Sequence, residues 1–96
     1  MSMDRETFDA SLGGHAPPPG LSPPLLSLWH MGKDDWEQAH IVAQGDKSAE
    51  AAWVHAHLHR IEGDLRNAAY WYDRAGKPEA TGEISDERAA LLAALL

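Results

Sequence analysis

The chain has 96 residues, 44% of them apolar, with no cysteine and a formal net charge of −7 at pH 7 when histidine is neutral. This length predicts a single domain with one modest core. The absence of cysteine excludes disulfides and thiolate metal sites, and the acidic balance argues against a nucleic-acid partner because negative charge repels phosphate backbones. Residues 1–11 lack the basic and apolar regions of a secretory signal, and no apolar run reaches the roughly 18 residues of a membrane span, so we expect a cytoplasmic protein without membrane association.

Residues 1–21 are rich in proline and glycine, which predicts an extended N-terminal arm. Three consecutive prolines occupy 17–19, and proline fixes φ and lacks the N–H group that a helix interior or a sheet ladder needs. Phe8, Leu12 and Leu21 are apolar residues that could anchor the arm on the domain. A mobile tail is the alternative that this composition allows.

Residues 22–96 are predicted to form one all-α domain, because no segment shows the period-two alternation of strands. Five helices are expected from capping residues and from terminating glycines. The predicted caps are Ser22, Asp34, Asp46 or Ser48, Asp64 and Ser85, and the predicted ends of the first four helices are Gly32, Gly45, Gly63 and Gly76.

The helix that ends near Glu62 is predicted to be central, because it is apolar on two sides. Val54 and Leu58 belong to an aliphatic stripe, and Ala52 and Ala56 form a second stripe of small residues. A helix with two apolar faces packs against neighbours on both.

The last predicted helix has acidic residues in its first turn, Asp86 and Glu87, where the helix dipole favours negative charge. Residues 89–96, from Ala89 to Leu96, are all alanine or leucine. This stretch lacks a polar face, which predicts burial in its own core or against another chain. A homodimer through these residues is one hypothesis.

An internal repeat relates DWEQA at 35–39 to DLRNA at 64–68 and predicts two antiparallel helical hairpins followed by the C-terminal helix. The second hairpin resembles a tetratricopeptide unit in the positions of Ala56, Ala68, Tyr72 and Ala75 and in the turn Gly63-Asp64. It departs from that family at His59, where an aromatic residue is usual, and at Pro78, which comes two residues early. The resemblance implies binding of other proteins in a concave groove. Residues 53–76 also resemble small bacterial proteins to which no function is assigned.

His55 and His59 are the sharpest chemical signal, because residues four apart on a helix point the same way and two imidazoles could share Zn²⁺ or Ni²⁺. Glu62 lies one turn further along and offers a carboxylate, and His40 is a further candidate ligand. The alternative is a polar seam between packed faces or imidazoles that face solvent. His57 lies in an apolar arc and is predicted to be buried with a backbone carbonyl or a tyrosine hydroxyl as partner.

Tyr70, Trp71 and Tyr72 cannot all face one way, because consecutive residues step about 100° around a helix. We expect Trp71 and Tyr72 in the core and Tyr70 elsewhere. The residues that the sequence assigns to a binding surface are His40, Trp53, His55, His59, Glu62 and Tyr70.

No His-Glu-x-x-His motif, phosphate-binding glycine loop or nucleophile motif occurs, so no catalytic residue is predicted. The sequence favours a protein-interaction module without catalysis. The alternatives are a metal-binding protein or metal-dependent enzyme that uses the helix histidines, and a small-ligand binder with a tryptophan-lined pocket.

Overall fold

The structure, a computed structural model, describes residues 3–96, so the first two residues of the predicted arm lie outside it. Its helices are α1 (Arg5–Ser11), α2 (Pro23–Gly32), α3 (Trp36–Gln44), α4 (Ala49–Glu62), α5 (Leu65–Ala75) and α6 (Ile84–Leu95). Residues 3–96 contain no β-strand, which confirms the predicted all-α class. Within this range, no helix combines the length and apolar character needed to cross a lipid bilayer.

The N-terminal segment is not extended throughout, because α1 lies within it. The prediction of an extended arm is wrong for these residues, since the prolines that motivated it come later and the Asp4 carboxylate caps the helix by accepting from Thr7 N–H at 2.7 Å. Phe8 is fully buried in the main core, and Leu12 and Leu21 pack against it. These three residues anchor the segment as the sequence predicts.

Side chains cap most of the predicted helix starts. Asp35, Ser48 and Asp64 each accept a hydrogen bond from the backbone N–H three residues later. The predicted cap Asp34 is one residue early: it adopts a left-handed φ of 60° in the turn before α3. Ser22 holds the N-cap position of α2 without a side-chain hydrogen bond.

Helix α4 is the centre of the molecule and contacts α2, α3, α5 and α6. Val54 and Leu58 belong to the main core with residues of α2 and α6. Ala56 lies in a second cluster with Ala68 of α5, and Ala52 is buried as well. The prediction that this helix packs on both its aliphatic and its alanine sides is confirmed.

The C-terminal helix buries only part of its apolar surface within the chain. Leu91 and Leu92 are fully buried, whereas Ala90, Ala93 and Ala94 are exposed. Exposed alanines cost little, because a single methyl group carries little apolar area. The predicted homodimer through residues 89–96 stays a prediction.

Candidate metal centre

Helices α3 and α4 bring three histidines together where they pack. His40 lies on α3, and His55 and His59 lie one turn apart on α4. Each histidine offers one ring nitrogen, and the three nitrogens lie within 4.8 Å of one another. The closest pair is His40 Nε2 and His55 Nε2, at 2.9 Å. We call these three residues the histidine cluster.

Two hydrogen bonds fix α3 against its neighbours and thereby place His40. Trp36 Nε1 donates to the carbonyl oxygen of Leu58 on α4 at 2.7 Å. Ser27 Oγ on α2 donates to the carbonyl oxygen of Ala39 at 2.7 Å, and this bond is buried. Because Ala39 precedes His40 directly, both bonds restrict where the imidazole can lie.

Tryptophan rings hold two of the imidazoles in place. The Trp36 ring stacks on His40 with centroids 4.9 Å apart, and the Trp71 ring of α5 stacks on His55 at 3.9 Å. His55 and His59 also stack on each other, at 4.8 Å. Side chains locked by packing give a site well-defined geometry.

Glu62 orients the ring of His59. The Glu62 carboxylate accepts a hydrogen bond from His59 Nδ1 at 2.6 Å. Because Nδ1 carries the proton in this bond, Nε2 of His59 keeps its lone pair for another partner. Metal-binding histidines usually pair the non-ligating nitrogen with a carboxylate in this way. The Glu62 side chain is 37% exposed, so the cluster lies close to solvent on this side.

His55 has one ring nitrogen in use and one without a partner. Nε2 lies against His40, whereas Nδ1 is buried and has no hydrogen-bond partner among residues 3–96. Buried polar atoms in folded proteins are nearly always hydrogen-bonded. Because Nε2 is the nitrogen that faces His40, an ion shared by these two rings would leave Nδ1 without a partner.

Two imidazoles of the cluster, those of His40 and His55, favour the neutral form. Burial, together with charge repulsion from the neighbouring His40 and His59, lowers the pKa of His55 to about 4. Burial also lowers the pKa of His40, again assisted by His59. A metal ion binds only the neutral imidazole. At neutral pH, His40 and His55 are therefore in the state that coordination needs.

The spacing of the nitrogens is close to that of a metal site. Zinc–nitrogen bonds of about 2.0–2.1 Å in a tetrahedral arrangement separate two ligand nitrogens by roughly 3.4 Å. The His40–His55 separation of 2.9 Å is that of a hydrogen bond, so these rings must part by about half an ångström to share an ion. A water molecule is available for a fourth position.

The other predicted binding residues, Trp53 and Tyr70, lie outside the cluster. Trp53 is half-buried on α4, where the ammonium of Lys77 lies 4.2 Å from its ring centroid. Tyr70 is 54% exposed on α5, whereas Tyr72 is buried and Trp71 half-buried, as predicted. The sequence did not assign Trp36 and Trp71 to the site. Trp36 could have been assigned, because it lies four residues before His40 on the same helix.

A second polar cluster joins α4, α5 and α6 through Glu87. The Glu87 carboxylate accepts from His57 Nδ1 at 2.7 Å, from Arg60 Nη1 at 3.3 Å and from the hydroxyl of Tyr72. Glu87 lies in the first turn of α6, as predicted, but it is buried because its carboxylate faces α4. The predicted partners of His57 are wrong, since a carboxylate takes that role.

The environment of Glu87 stabilises its charged form. Burial alone would raise the pKa of this carboxyl, but the hydrogen bonds from His57, Tyr72 and Arg60 and the charge of His57 outweigh it and keep the pKa below its usual value. Burial and the bond to Glu87 raise the pKa of the Tyr72 hydroxyl. Nε2 of His57 is buried and has no hydrogen-bond partner among residues 3–96, so this cluster also contains an unpaired imidazole nitrogen.

Comparison of the chain with models of protein families, with curated proteins and with solved structures finds no match. The geometry of the histidine cluster is therefore the main observation that bears on function.

Proposed function

We propose that the protein binds a divalent transition-metal ion, Zn²⁺ or Ni²⁺, through His40, His55 and His59. The observation that carries this proposal is the convergence of three ring nitrogens within 4.8 Å on two helices. The bond from His59 to Glu62 supports it independently.

The chemistry of the donors favours these metals. Imidazole nitrogen suits zinc, nickel and copper, whereas calcium and magnesium prefer oxygen ligands. Three imidazoles leave at least one position for water. Because His40 belongs to α3 and the other two ligands belong to α4, the bound ion cross-links α3 and α4.

Metal analysis and calorimetry on protein purified without a histidine tag test this proposal. We expect about one Zn²⁺ or Ni²⁺ per chain, because the three imidazoles form a single site. His59→Ala and His40→Ala should lose this ion, whereas His15→Ala, which removes an exposed histidine elsewhere, should keep it. Substoichiometric binding by the unaltered protein, or equal binding by His59→Ala, would contradict the proposal.

Glu62→Gln separates a coordination site from a coincidental cluster. Loss of an outer carboxylate typically weakens metal affinity about 10- to 100-fold. Glu37→Gln, at an exposed position on α3, is the matched control and should leave the affinity unchanged.

A second candidate function is that of a protein-interaction module. The exposed Tyr70 ring, the guanidinium of Arg74 at 3.3 Å from the Tyr70 hydroxyl, and the Trp71 ring under that guanidinium support it. Aromatic residues and arginine are enriched where proteins bind one another. Pull-down with the unaltered protein and with the Tyr70→Ser and Arg74→Ser variants tests this surface. A partner that the unaltered protein and both variants capture equally does not bind there.

The homodimer through residues 89–96 belongs to the same proposal. The exposed alanines of α6 support it, since small side chains allow helices to approach closely. Light scattering that finds a monomer at high concentration would remove it.

A further inference from the structure

A cleft of about 380 Å³ lies between α4, the α5–α6 connection and the start of α6. Its walls include the Trp53 ring and the side chains of Lys77, Glu79, Asp86 and Glu87. Ligand sites in proteins typically begin at about 300 Å³ and combine apolar walls with a few polar groups. The cleft meets both conditions and contains none of the residues of the histidine cluster.

The Lys77 ammonium lies over the face of Trp53 at the edge of this cleft. Its nitrogen is 4.2 Å from the ring centroid, well within the roughly 6 Å that a cation–π interaction allows. The backbone after α5 places it there: Gly76 adopts a left-handed φ of 71°, and Lys77 N–H donates to the carbonyl oxygen of Tyr72 at 3.0 Å. The face of Trp53 is thus a surface on which an alkylammonium group fits.

The charge of the cleft also favours a cation. Three carboxylates, those of Glu79, Asp86 and Glu87, and a single ammonium, that of Lys77, line it. Glu87 is already paired with Arg60 at 3.3 Å, so Glu79 and Asp86 supply the excess negative charge over Lys77. The Glu87 side chain is 5% exposed and holds three hydrogen bonds. A carboxylate has about four lone-pair positions, so Glu87 can accept one further donor.

We propose that this cleft binds an alkylammonium group, whose ammonium lies against Trp53 and the carboxylates of Asp86 and Glu87. Lys77 holds the position when the ligand is absent and moves aside when it binds. Lys77 is exposed, so its side chain can turn into solvent without breaking a buried contact. The ligand is either a free aliphatic amine or the lysine side chain of a polypeptide, which share this chemistry.

The test is a titration of the full chain with n-butylammonium and, separately, with uncharged n-butanol. The indole N–H signals in NMR spectra report on binding. We expect n-butylammonium to shift the Trp53 signal saturably, and n-butanol to leave it unchanged. Trp53→Phe assigns the signal. Lys77→Ala should tighten binding about two- to fivefold, because the competing cation–π interaction is removed. Lys47→Ala, which removes an exposed lysine elsewhere, should not alter it.

Asp86→Asn should weaken n-butylammonium binding, since it removes one carboxylate and leaves the size of the side chain unchanged. A further titration with a lysine-containing peptide, and with the same peptide acetylated at that lysine, distinguishes the two sources. A preference for the peptide over the free amine identifies a partner's lysine, and equal binding identifies a small amine. The proposal is overturned if neither probe shifts the Trp53 signal in the unaltered protein or in Lys77→Ala, or if n-butanol acts like the ammonium.

Discussion

At the scale of single residues, Glu87 in the first turn of α6 links three helices. Its carboxylate accepts from His57 on α4 and Tyr72 on α5 and is buried between them. Glu87→Gln replaces a charged acceptor of three donors by an amide with a single acceptor oxygen. Leaving a buried donor unpaired costs about 1–3 kcal/mol.

We therefore expect Glu87→Gln to lower the free energy of unfolding by about 1–3 kcal/mol, measured by urea denaturation. Glu79→Gln, at an exposed position, should change it by less than about 0.5 kcal/mol. Equal effects of the two substitutions would show that the Glu87 hydrogen bonds contribute nothing to stability.

His55 predicts how stability depends on pH in the metal-free protein. The unfolded imidazole has a pKa near 6.5, and burial lowers the folded pKa to about 4. Between these values the unfolded chain binds a proton that the folded chain refuses, so the free energy of unfolding falls as the pH falls from about 6.5 to 4. Above about pH 6.5 the full contribution of the neutral ring is present.

Urea denaturation at several pH values between about 7 and 4 measures this slope. His55→Gln, which does not titrate, should flatten it, whereas His15→Gln at an exposed position should keep it. An unchanged slope in His55→Gln would assign the pH dependence to other groups.

The sequence predicted part of the site because part of it is local. His55 and His59 lie four apart on one helix, so their proximity follows from helix geometry alone. The approach of His40 depends on how α3 packs on α4, and the pairing of His57 with Glu87 joins residues 30 positions apart. Each of these contacts joins two different helices, so the spacing of residues along one helix cannot predict it.

At the scale of helices, the starts and ends of α2 to α5 were predicted within a residue or two. Capping side chains and terminal glycines mark these boundaries, and both act through hydrogen bonds a few residues away. Helix α1 was missed because the prolines at 17–19 led to one description of the whole segment 1–21, although Asp4 precedes a stretch without proline or glycine. Residues 5–11, taken apart from the proline-rich loop that follows them, have a composition that allows a helix.

The turn between α4 and α5 gives a prediction at this scale. Gly63 has φ of 87°, and a β-carbon there would meet no atom within 4 Å. The cost of Gly63→Ala is therefore that of the backbone conformation, about 1–2 kcal/mol. Gly45 ends α3 with φ of −79° and leaves room for a methyl group at ordinary contact distance. Gly45→Ala should instead stabilise the protein by about 0.4–1 kcal/mol.

Thermal unfolding of the two variants compares these values directly. Because both substitutions add one methyl group at the end of a helix, the sign of the difference reports on φ alone. Destabilisation by both, to the same extent, would contradict this account of the turn.

At the scale of the whole molecule, a metal ion at the histidine cluster should raise the stability of the folded chain. A ligand that binds only the folded state at 100 times its dissociation constant contributes about 2.7 kcal/mol. For a domain of this size, that corresponds to an increase in Tm of about 10 °C or more. Differential scanning fluorimetry with and without Zn²⁺ measures it.

His59→Ala is the control for this shift, since it removes one ligand. The ion should leave its Tm unchanged, and addition of a chelator should return the unaltered protein to its metal-free Tm. A shift of equal size in His59→Ala would place the binding of the ion elsewhere in the chain.

The stacking of Trp36 on His40 and of Trp71 on His55 makes these indoles a built-in optical reporter. Paramagnetic Ni²⁺ coordinated by the imidazoles would quench the emission of the two tryptophans in direct contact with them, while Zn²⁺ would leave it largely intact. Trp29 and Trp53 have other neighbours: His30 lies edge-to-face with Trp29, and the Lys77 ammonium lies over Trp53. Occupancy of the histidine cluster by Ni²⁺ could thus be followed in real time, without any added dye, as a partial loss of tryptophan fluorescence.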